Sequence, residues 1–470
     1  MSADPRRTKI VATIGPASAS REMLAALARA GVDAFRMNFS HGTHDQHADA
    51  AHAVREVQSE LQKALALIAD LQGPKLRIGE LDAPRVLLKG DEVDIVGEEH
   101  AVDSELPVAP AVIGEVLRPG HDVLIDDGLV RLSVEEVHEG RARCRVVVGG
   151  EVKAHKGVNL PGVPVPIPSL TKKDLDDLSF AIGLGVDFVA LSFVRAAADV
   201  RDLQAIIRQH GSAARVIAKI EKAEAVDVLD EVLSEADAVM VARGDLGVEI
   251  GAATVPLLQK RIIRRCLEVG KPVITATQML ESMIEHAEPT RAEASDVANA
   301  ILDGTSAVML SAETAAGAYP VEAVQTMDRI ARAVEPSMDY RHQMPEPEEG
   351  STVGRAMSNA ACDLAEALRA RAILVPTFTG RTASAVARLR PRRPIVGLSH
   401  HRTALQQMAL EWGVTPVLMP ETENVEDLWT RSLEAARSAG AVGAGDRVVL
   451  TAGTAVNLPG STNVIKVDVA

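Results

Sequence analysis

The chain has 470 residues and a formal net charge of −15, from 65 Asp and Glu against 50 Lys and Arg. That length exceeds what one compact core sustains. The acidic balance argues against a general polyanion binder. Aromatic residues make up only 2% of the chain, which leaves little for stacking on single-stranded nucleic acid. Cys144, Cys266 and Cys362 form no C-x-x-C pair, as expected of free thiols in a reducing compartment. MSADPRRTKI has no apolar leader and no run reaches membrane-spanning length, so the expected location is cytoplasmic, with no membrane partner.

In chain order, near-continuous apolar runs alternate with amphipathic stretches. KIVATIG (9–15), VDAFRMNF (32–39) and ALALIAD (64–70) come first. VDFVALSF (186–193), RVIAKIE (215–221), DAVMVAR (237–243), PVITAT (272–277) and SAVMLS (306–311) follow. Their Val, Ile, Leu, Ala and Met content suits strands buried on both faces. Gly31, Gly185 and Gly270 stand where helical stretches end. Eight strand–helix units predict an α/β fold of the (β/α)8 TIM-barrel type, with a doubly wound open sheet as the alternative. A barrel places its active site at the C-terminal ends of the strands.

Residues 74–162 interrupt this alternation with short runs broken by Gly, Asp and Pro, such as RVLLKGDEVDIVG and RARCRVVVGG. They predict an inserted small β-barrel-like lid domain, with KGVNLPGVPVPIP (156–168) as a hinge. After the polar break 335–350, AILVPT, PIVGLS, TPVLMP, RVVLTAG and NVIKVDVA restart an α/β pattern. The expected division is 1–73 for the first part of the barrel, 74–162 for the lid, 163–340 for the rest of the barrel and 351–470 for a C-terminal α/β domain.

Strand periodicity puts Lys219 and Glu221 on one face. Such a pair at the end of a buried strand is costly unless paired or functional. Asp245 lies just past the next strand, and Gly244 allows close backbone approach. Two carboxylates without nearby His or Cys suit Mg2+ or Mn2+. Plain ion pairs, Lys219–Glu221 and Arg243–Asp245, are the structural alternative. Thr277 ends the seventh strand, as a ligand hydroxyl or a helix N-cap. Arg36 and Asn38 share one parity in the second strand, with Ser40 next in phase, and an Arg in a buried strand wants an anion such as phosphate. His41, His44 and His47 are spaced by three and read as surface residues, apart from His41 near the rim. ADLQGPKLRIGE (69–80) gathers Asp70, Lys75 and Arg77 around a Gly-Pro turn.

TKIVATIGPAS, FRMNFSHG, GPKLRIGE, KGVNLPG, AKIEKAE, VARGDLGVEI, TATQMLESM and PTRAEASDVANAILDGTSAVMLSAETAAGAYP occur in an order that resembles the pyruvate kinase family over nearly the whole chain. The resemblance implies phosphoryl transfer from phosphoenolpyruvate to ADP, giving ATP and pyruvate. It implies Glu221 and Asp245 as ligands of Mg2+ (or Mn2+), and Lys219 as the cation on the phosphoryl group and enolate. Gly244, Asp245 and Thr277 would hold the substrate carboxylate, and Arg36 and Arg77 the phosphoryl oxygens. Asn38, His41, Arg77 and Lys156 would face the nucleotide. Family members with Thr after this Asp and Glu at the position of Lys75 use K+, held by residues matching Asn38, Ser40, Asp70 and the next carbonyl. Leu71 and Lys75 replace that pair here, so Lys75 is expected to act as an internal cation, partnered by Asp70, with K+ not required.

The resemblance further implies a homotetramer and an effector site in the C-terminal domain. Thr377, Thr379, Gly380, Arg381 and Thr382 form a possible phosphate nest opposite the loop TAGTAVNLPGST (451–462). A sugar monophosphate or AMP suits it better than a bisphosphate, because Phe378 interrupts the polar run. RPRRP (390–394) reads as a solvated turn or subunit contact. Two rival functions are a metal-dependent aldolase acting on pyruvate enolate and a degenerate nucleotide or phosphoenolpyruvate sensor. The lid and the Arg36/Arg77 clamp argue against the first. The joint presence of Lys219, Glu221, Asp245 and Thr277 argues against the second.

Overall fold

The computed structural model describes residues 5–102, 104–338, 352–453 and 462–470. The eight apolar runs form eight parallel strands: β1 (Lys9–Ile14), β2 (Ala34–Asn38), β3 (Ala66–Asp70), β4 (Phe188–Leu191), β5 (Arg215–Ile220), β6 (Ala238–Ala242), β7 (Val273–Ala276) and β8 (Ala307–Leu310). They close a barrel in chain order, sealed where β1 pairs with β8 from Lys9↔Ala307 to Ala12↔Leu310. Closure excludes the open sheet.

Alternation along each strand separates two cores. Val11, Ile68, Phe188, Ile217, Met240 and Ile274 fill the interior. Their neighbours Ile10, Leu67, Val189, Val216, Val239 and Val273 meet the helices outside. This two-sided burial is why the runs lack polar alternation; each fully buried large aliphatic side chain contributes about 1.5–3 kcal/mol. Ala409 and Leu410, from the C-terminal unit, join the inner cluster.

Residues of the inserted segment form a second closed barrel from Leu76–Ile78, Glu92–Gly97, Leu106–Ala109, Asp122–Ile125, Val130–His138, Arg141–Val148 and Gly157–Asn159. Arg85–Leu87 and Gly150–Val152 pair as a separate two-stranded arm. The return limb is pinned to the parallel barrel. The Gly162 N–H donates to Glu249 at 3.2 Å, and Arg195 donates to the carbonyls of Val165, at 2.5 Å, and Ile167. At the outgoing crossing, a Cβ on Gly73 would lie 2.8 Å from the Phe193 ring and 2.9 Å from Ser192 Cβ, so the turn requires glycine.

The C-terminal sheet has the order β11 (Val414–Leu418), β10 (Ile395–Ser399), β9 (Ala372–Pro376), β12 (Arg447–Gly453) and β13 (Thr462–Val469), with β13 antiparallel to β12. Arg390 departs from the solvated-turn expectation for RPRRP, whose Arg392 is exposed. Arg390 is buried, lies over the Trp412 ring at 4.5 Å and donates to the Gly304 carbonyl at 2.7 Å. It therefore ties this unit to the parallel barrel. The three cysteines are free and buried, and burial pushes each thiol pKa up to about 12. No helix among the described residues is long and apolar enough to cross a membrane.

Candidate active site

The C-terminal ends of β2 to β5 bring one charged network together. Lys219, near the end of β5, donates to Asp70 of β3 at 3.1 Å and to Ser192 Oγ at 2.7 Å, and its ammonium lies 3.0 Å from Glu221 Oε1. Arg36 of β2 reaches Asp70 Oδ2 at 2.6 Å and Thr13 Oγ1 at 3.1 Å. The second oxygen of Glu221 accepts from the Phe193 N–H at 2.8 Å. Asp70 and Glu221 are each 1% exposed at the side chain.

The electrostatics follow from this sharing. Burial alone would lower the Lys219 pKa, but Asp70 and Glu221 more than offset it and hold the ammonium above the ordinary lysine range. Burial would raise the Asp70 pKa, yet Lys219 and Arg36 together bring it below the usual carboxylate range. Glu221 goes the other way: burial raises its pKa, Lys219 offsets only part of this, and Asp245 repels it further. Glu221 is thus a buried carboxylate short of positive charge.

Asp245 sits in the first turn of the helix Arg243–Ile250 that follows β6. Its side chain pairs with Lys75 at 3.0 Å. This corrects the expectation that Lys75 partners Asp70, whose oxygens are taken by Arg36 and Lys219. The Lys75 stem runs over Gly157, where an added Cβ would lie 2.9 Å from Lys75 Cε. Lys75 therefore spans the space between the inserted barrel and the rim. The Arg243–Asp245 pair also gives way, because Arg243 pairs with Asp296 at 2.7 Å.

The β7 end is strained. Thr277 and Gln278 have φ of 67° and 53°, unusual for residues bearing a Cβ and for a β-branched one above all. Arg243 holds the turn by donating to the carbonyls of Ala276 (3.2 Å), Thr277 (2.6 Å) and Gln278 (3.3 Å). The Thr277 hydroxyl does not cap a helix of its own; it accepts from the Gly244 N–H at 2.9 Å. An incoming carboxylate would compete for both groups.

The other sequence candidates are less centrally placed. Asn38 Oδ1 accepts from the Ser40 N–H at 3.2 Å, and the Leu71 carbonyl accepts from Ser192 Oγ at 2.7 Å. Arg77 donates to the His155 carbonyl at 2.9 Å and Lys156 pairs with Asp126 at 3.0 Å, so both stay with the inserted barrel. His41 is exposed; His44 stacks on Phe180 and bonds Asp177 at 2.8 Å, and His47 stacks on Phe39. His47 Nε2 also meets the His41 carbonyl at 3.0 Å, and no group of three metal-binding side chains occurs among the described residues. Ser192 and Thr13 were not singled out in the sequence, and Arg243 only as a partner for Asp245; the only signal was a polar residue at or just past a buried strand.

In the C-terminal unit, Thr377 Oγ1 accepts from the Gly380 N–H at 3.1 Å, and Thr382 and Thr462 hydroxyls meet at 3.0 Å. The Thr379 carbonyl accepts from Arg215 at 2.7 Å, and Arg381 opens the short helix Arg381–Ala387. Residues 454–461 of the facing loop lie outside the described residues.

The donor set fits a hard divalent ion: Glu221 and Asp245 offer oxygen ligands, each now beside a lysine ammonium. Comparison with known proteins agrees with the fold. The family model "Pyruvate kinase, barrel domain" matches residues 5–324 and "Pyruvate kinase, alpha/beta domain" matches 355–468. A pyruvate kinase of Sporosarcina psychrophila is 43% identical over 99% of this chain and 80% of its own length. One from Clostridium acetobutylicum is 41% identical over 99% of both chains, and one from Agrobacterium vitis 45% over 99% of this chain and 98% of its own. With two family models and relatives covering nearly every residue, the chain belongs to the pyruvate kinase family.

Proposed function

We propose that this pyruvate kinase converts phosphoenolpyruvate and ADP to pyruvate and ATP with the β2–β7 rim as its chemical centre. The observation that carries the assignment of roles is the Lys219 ammonium, fixed between Asp70, Glu221 and Ser192 at the end of β5. A cation held there by three partners meets a transferring phosphoryl group without reorganising. Arg36, oriented by Asp70, offers its free edge to the phosphoryl oxygens, and Arg77 approaches from the lid. Gly244, Asp245 and Thr277 receive the substrate carboxylate. Asn38, His41, Arg77 and Lys156 face the nucleotide.

Glu221 and Asp245 would hold Mg2+ or Mn2+, which when bound supplies Lewis-acid polarisation and a template for the two substrates. Lys75 supplies fixed positive charge next to that site, and K+ is not required. Two observations support this. The oxygens of Asn38, Asp70 and Leu71 that would surround a monovalent ion already accept from protein donors, and Lys75 already reaches Asp245. Segments 1–73 and 163–340 act as the catalytic barrel, 74–162 as its lid and 351–470 as the regulatory and assembly unit of a cytoplasmic homotetramer. Thr377, Thr379, Gly380, Arg381 and Thr382 are its effector loop.

The test is the rate of pyruvate formation from phosphoenolpyruvate, ADP and Mg2+ in K+-free buffer, and again with KCl at matched ionic strength. Equal rates are expected. A rate that appears only with KCl would keep the kinase and remove the role given to Lys75. No turnover in either buffer would overturn the assignment.

A further inference from the structure

The helix Arg243–Ile250 carries two acids one turn apart, Asp245 and Glu249, and their i, i+4 spacing puts them on one face. They reach different crossings of the inserted barrel. Asp245 pairs with Lys75 of the outgoing limb at 3.0 Å. Glu249 Oε1 accepts from the Gly162 N–H of the return limb at 3.2 Å. Its other oxygen pairs with Lys222 at 2.8 Å, and Lys222 directly follows Glu221 beyond β5. The two limbs and Lys222 share one small cavity of about 40 Å³, lined among others by Pro74, Lys75, Leu160, Val163 and Lys222.

The Glu249 side chain is 1% exposed and that of Lys222 15%. A buried ion pair is a weak source of stability. Apolar residues of similar volume often serve as well or better, whereas removing one partner alone leaves a costly charge. What such a pair supplies is register. Register matters here, because Asp245 repels Glu221 and nothing in like charge holds two carboxylates together. The Lys222–Glu249 pair joins the two segments that carry them, one residue beyond Glu221 and one helical turn beyond Asp245. The Gly162 contact adds the return limb to the same tie.

We propose that Glu249 is a positioning residue for the divalent-ion site. With Lys222 it sets the helix Arg243–Ile250 against the end of β5, so that Asp245 and Glu221 stand as one ligand pair. With Gly162 it fixes the return limb of the inserted barrel to that helix. The proposal rests on the assignment of Glu221 and Asp245 to the ion.

Mn2+ binding to the full chain without substrates, followed by electron paramagnetic resonance, tests it. The double variant Lys222→Met/Glu249→Met removes the pair without leaving a buried charge, so it should stay folded, checked by melting temperature. Its Mn2+ affinity should fall about tenfold. Amide hydrogen exchange over residues 160–168 should quicken about tenfold. Glu249→Gln keeps the volume and one acceptor, and should lose about threefold in affinity. Asp33→Asn breaks a buried pair at the other end of the barrel, and should lower the melting temperature with Mn2+ affinity unchanged. Affinity within about twofold of wild type in both Glu249 variants, or unchanged exchange in the double variant, would overturn the proposal. Glu221→Gln separates the two readings. Mn2+ lost there but kept in the double variant removes only the role of Glu249. Mn2+ kept in Glu221→Gln removes the metal assignment beneath it.

Discussion

Asp33 and Glu221 are buried carboxylates beside cations at opposite ends of the parallel barrel, and their surroundings shift them in opposite directions. At the N-terminal end, Asp33 accepts from Arg6 and from the Ile10 N–H, both at 2.9 Å. Burial would raise its pKa, but Arg6, Lys9 and Lys63 bring it down to about 2. At the C-terminal end, Glu221 shares Lys219 with Asp70 and faces Asp245, and its pKa is raised. The direction of the shift does not by itself separate scaffold from site: Asp70, at the C-terminal end, is also held low by Lys219 and Arg36, and Asp187, at the N-terminal end, is raised to about 6 by burial although Arg55 pairs with it at 2.9 Å. Both ends have the same residue types in the sequence, so composition at a strand end does not separate them either.

The largest expected effect comes from Lys219→Met. It removes charge at the reacting end, so kcat should fall on the order of a thousandfold. Steady-state kinetics and a melting curve check this together; because Asp70 and Glu221 lose a shared partner, the loss of kcat should exceed what any change in the folded fraction explains. The comparison breaks if activity survives.

Asp33→Asn is the reverse experiment. It leaves Arg6, Lys9 and Lys63 around a neutral amide, at a cost of roughly 3 kcal/mol, with kcat unchanged. The same group sets a pH window. Its folded pKa of about 2 lies below the unfolded value of about 3.9. Between the two the unfolded chain binds more protons, so stability falls with falling pH. The contribution, roughly 2–3 kcal/mol, is complete above about pH 4 and gone below about pH 2. Acid denaturation of wild type and Asp33→Asn should converge over that window.

Lys75→Glu sharpens the comparison at one atom. It places a carboxylate where an ammonium now pairs with Asp245. The K+-free rate should drop about tenfold, or ~1.4 kcal/mol of barrier, and KCl should restore it. Gly157→Ala is the mildest change: its Cβ would press on the Lys75 stem, whose end can move. Less than about a threefold rise in the KM for phosphoenolpyruvate is expected, with stability within about 1 kcal/mol.

Much of the barrel was legible because strands buried on both faces are unbroken apolar runs; all eight were read to within one or two residues. Within the lid, Leu76–Ile78, Leu106–Ala109 and Gly157–Asn159 were not singled out as strands. They are three or four residues long, too short for alternation to register, and two of them carry Gly or Pro. Lys219 and Glu221 were placed together by strand parity alone. The partner of Lys75 was not, because it depends on how the inserted barrel sits over the rim rather than on local spacing. Arg390 was misread for the same reason: the Trp412 ring and the Gly304 carbonyl that bury it are remote in sequence.

The most direct measurement is Mn2+ binding followed by electron paramagnetic resonance in wild type, Glu221→Gln and Asp33→Asn. One site is expected in wild type and in Asp33→Asn, and its loss in Glu221→Gln. Mn2+ bound equally by Glu221→Gln, or released by Asp33→Asn in a folded protein, would contradict the assignment of Glu221 to the metal and of Asp33 to the scaffold.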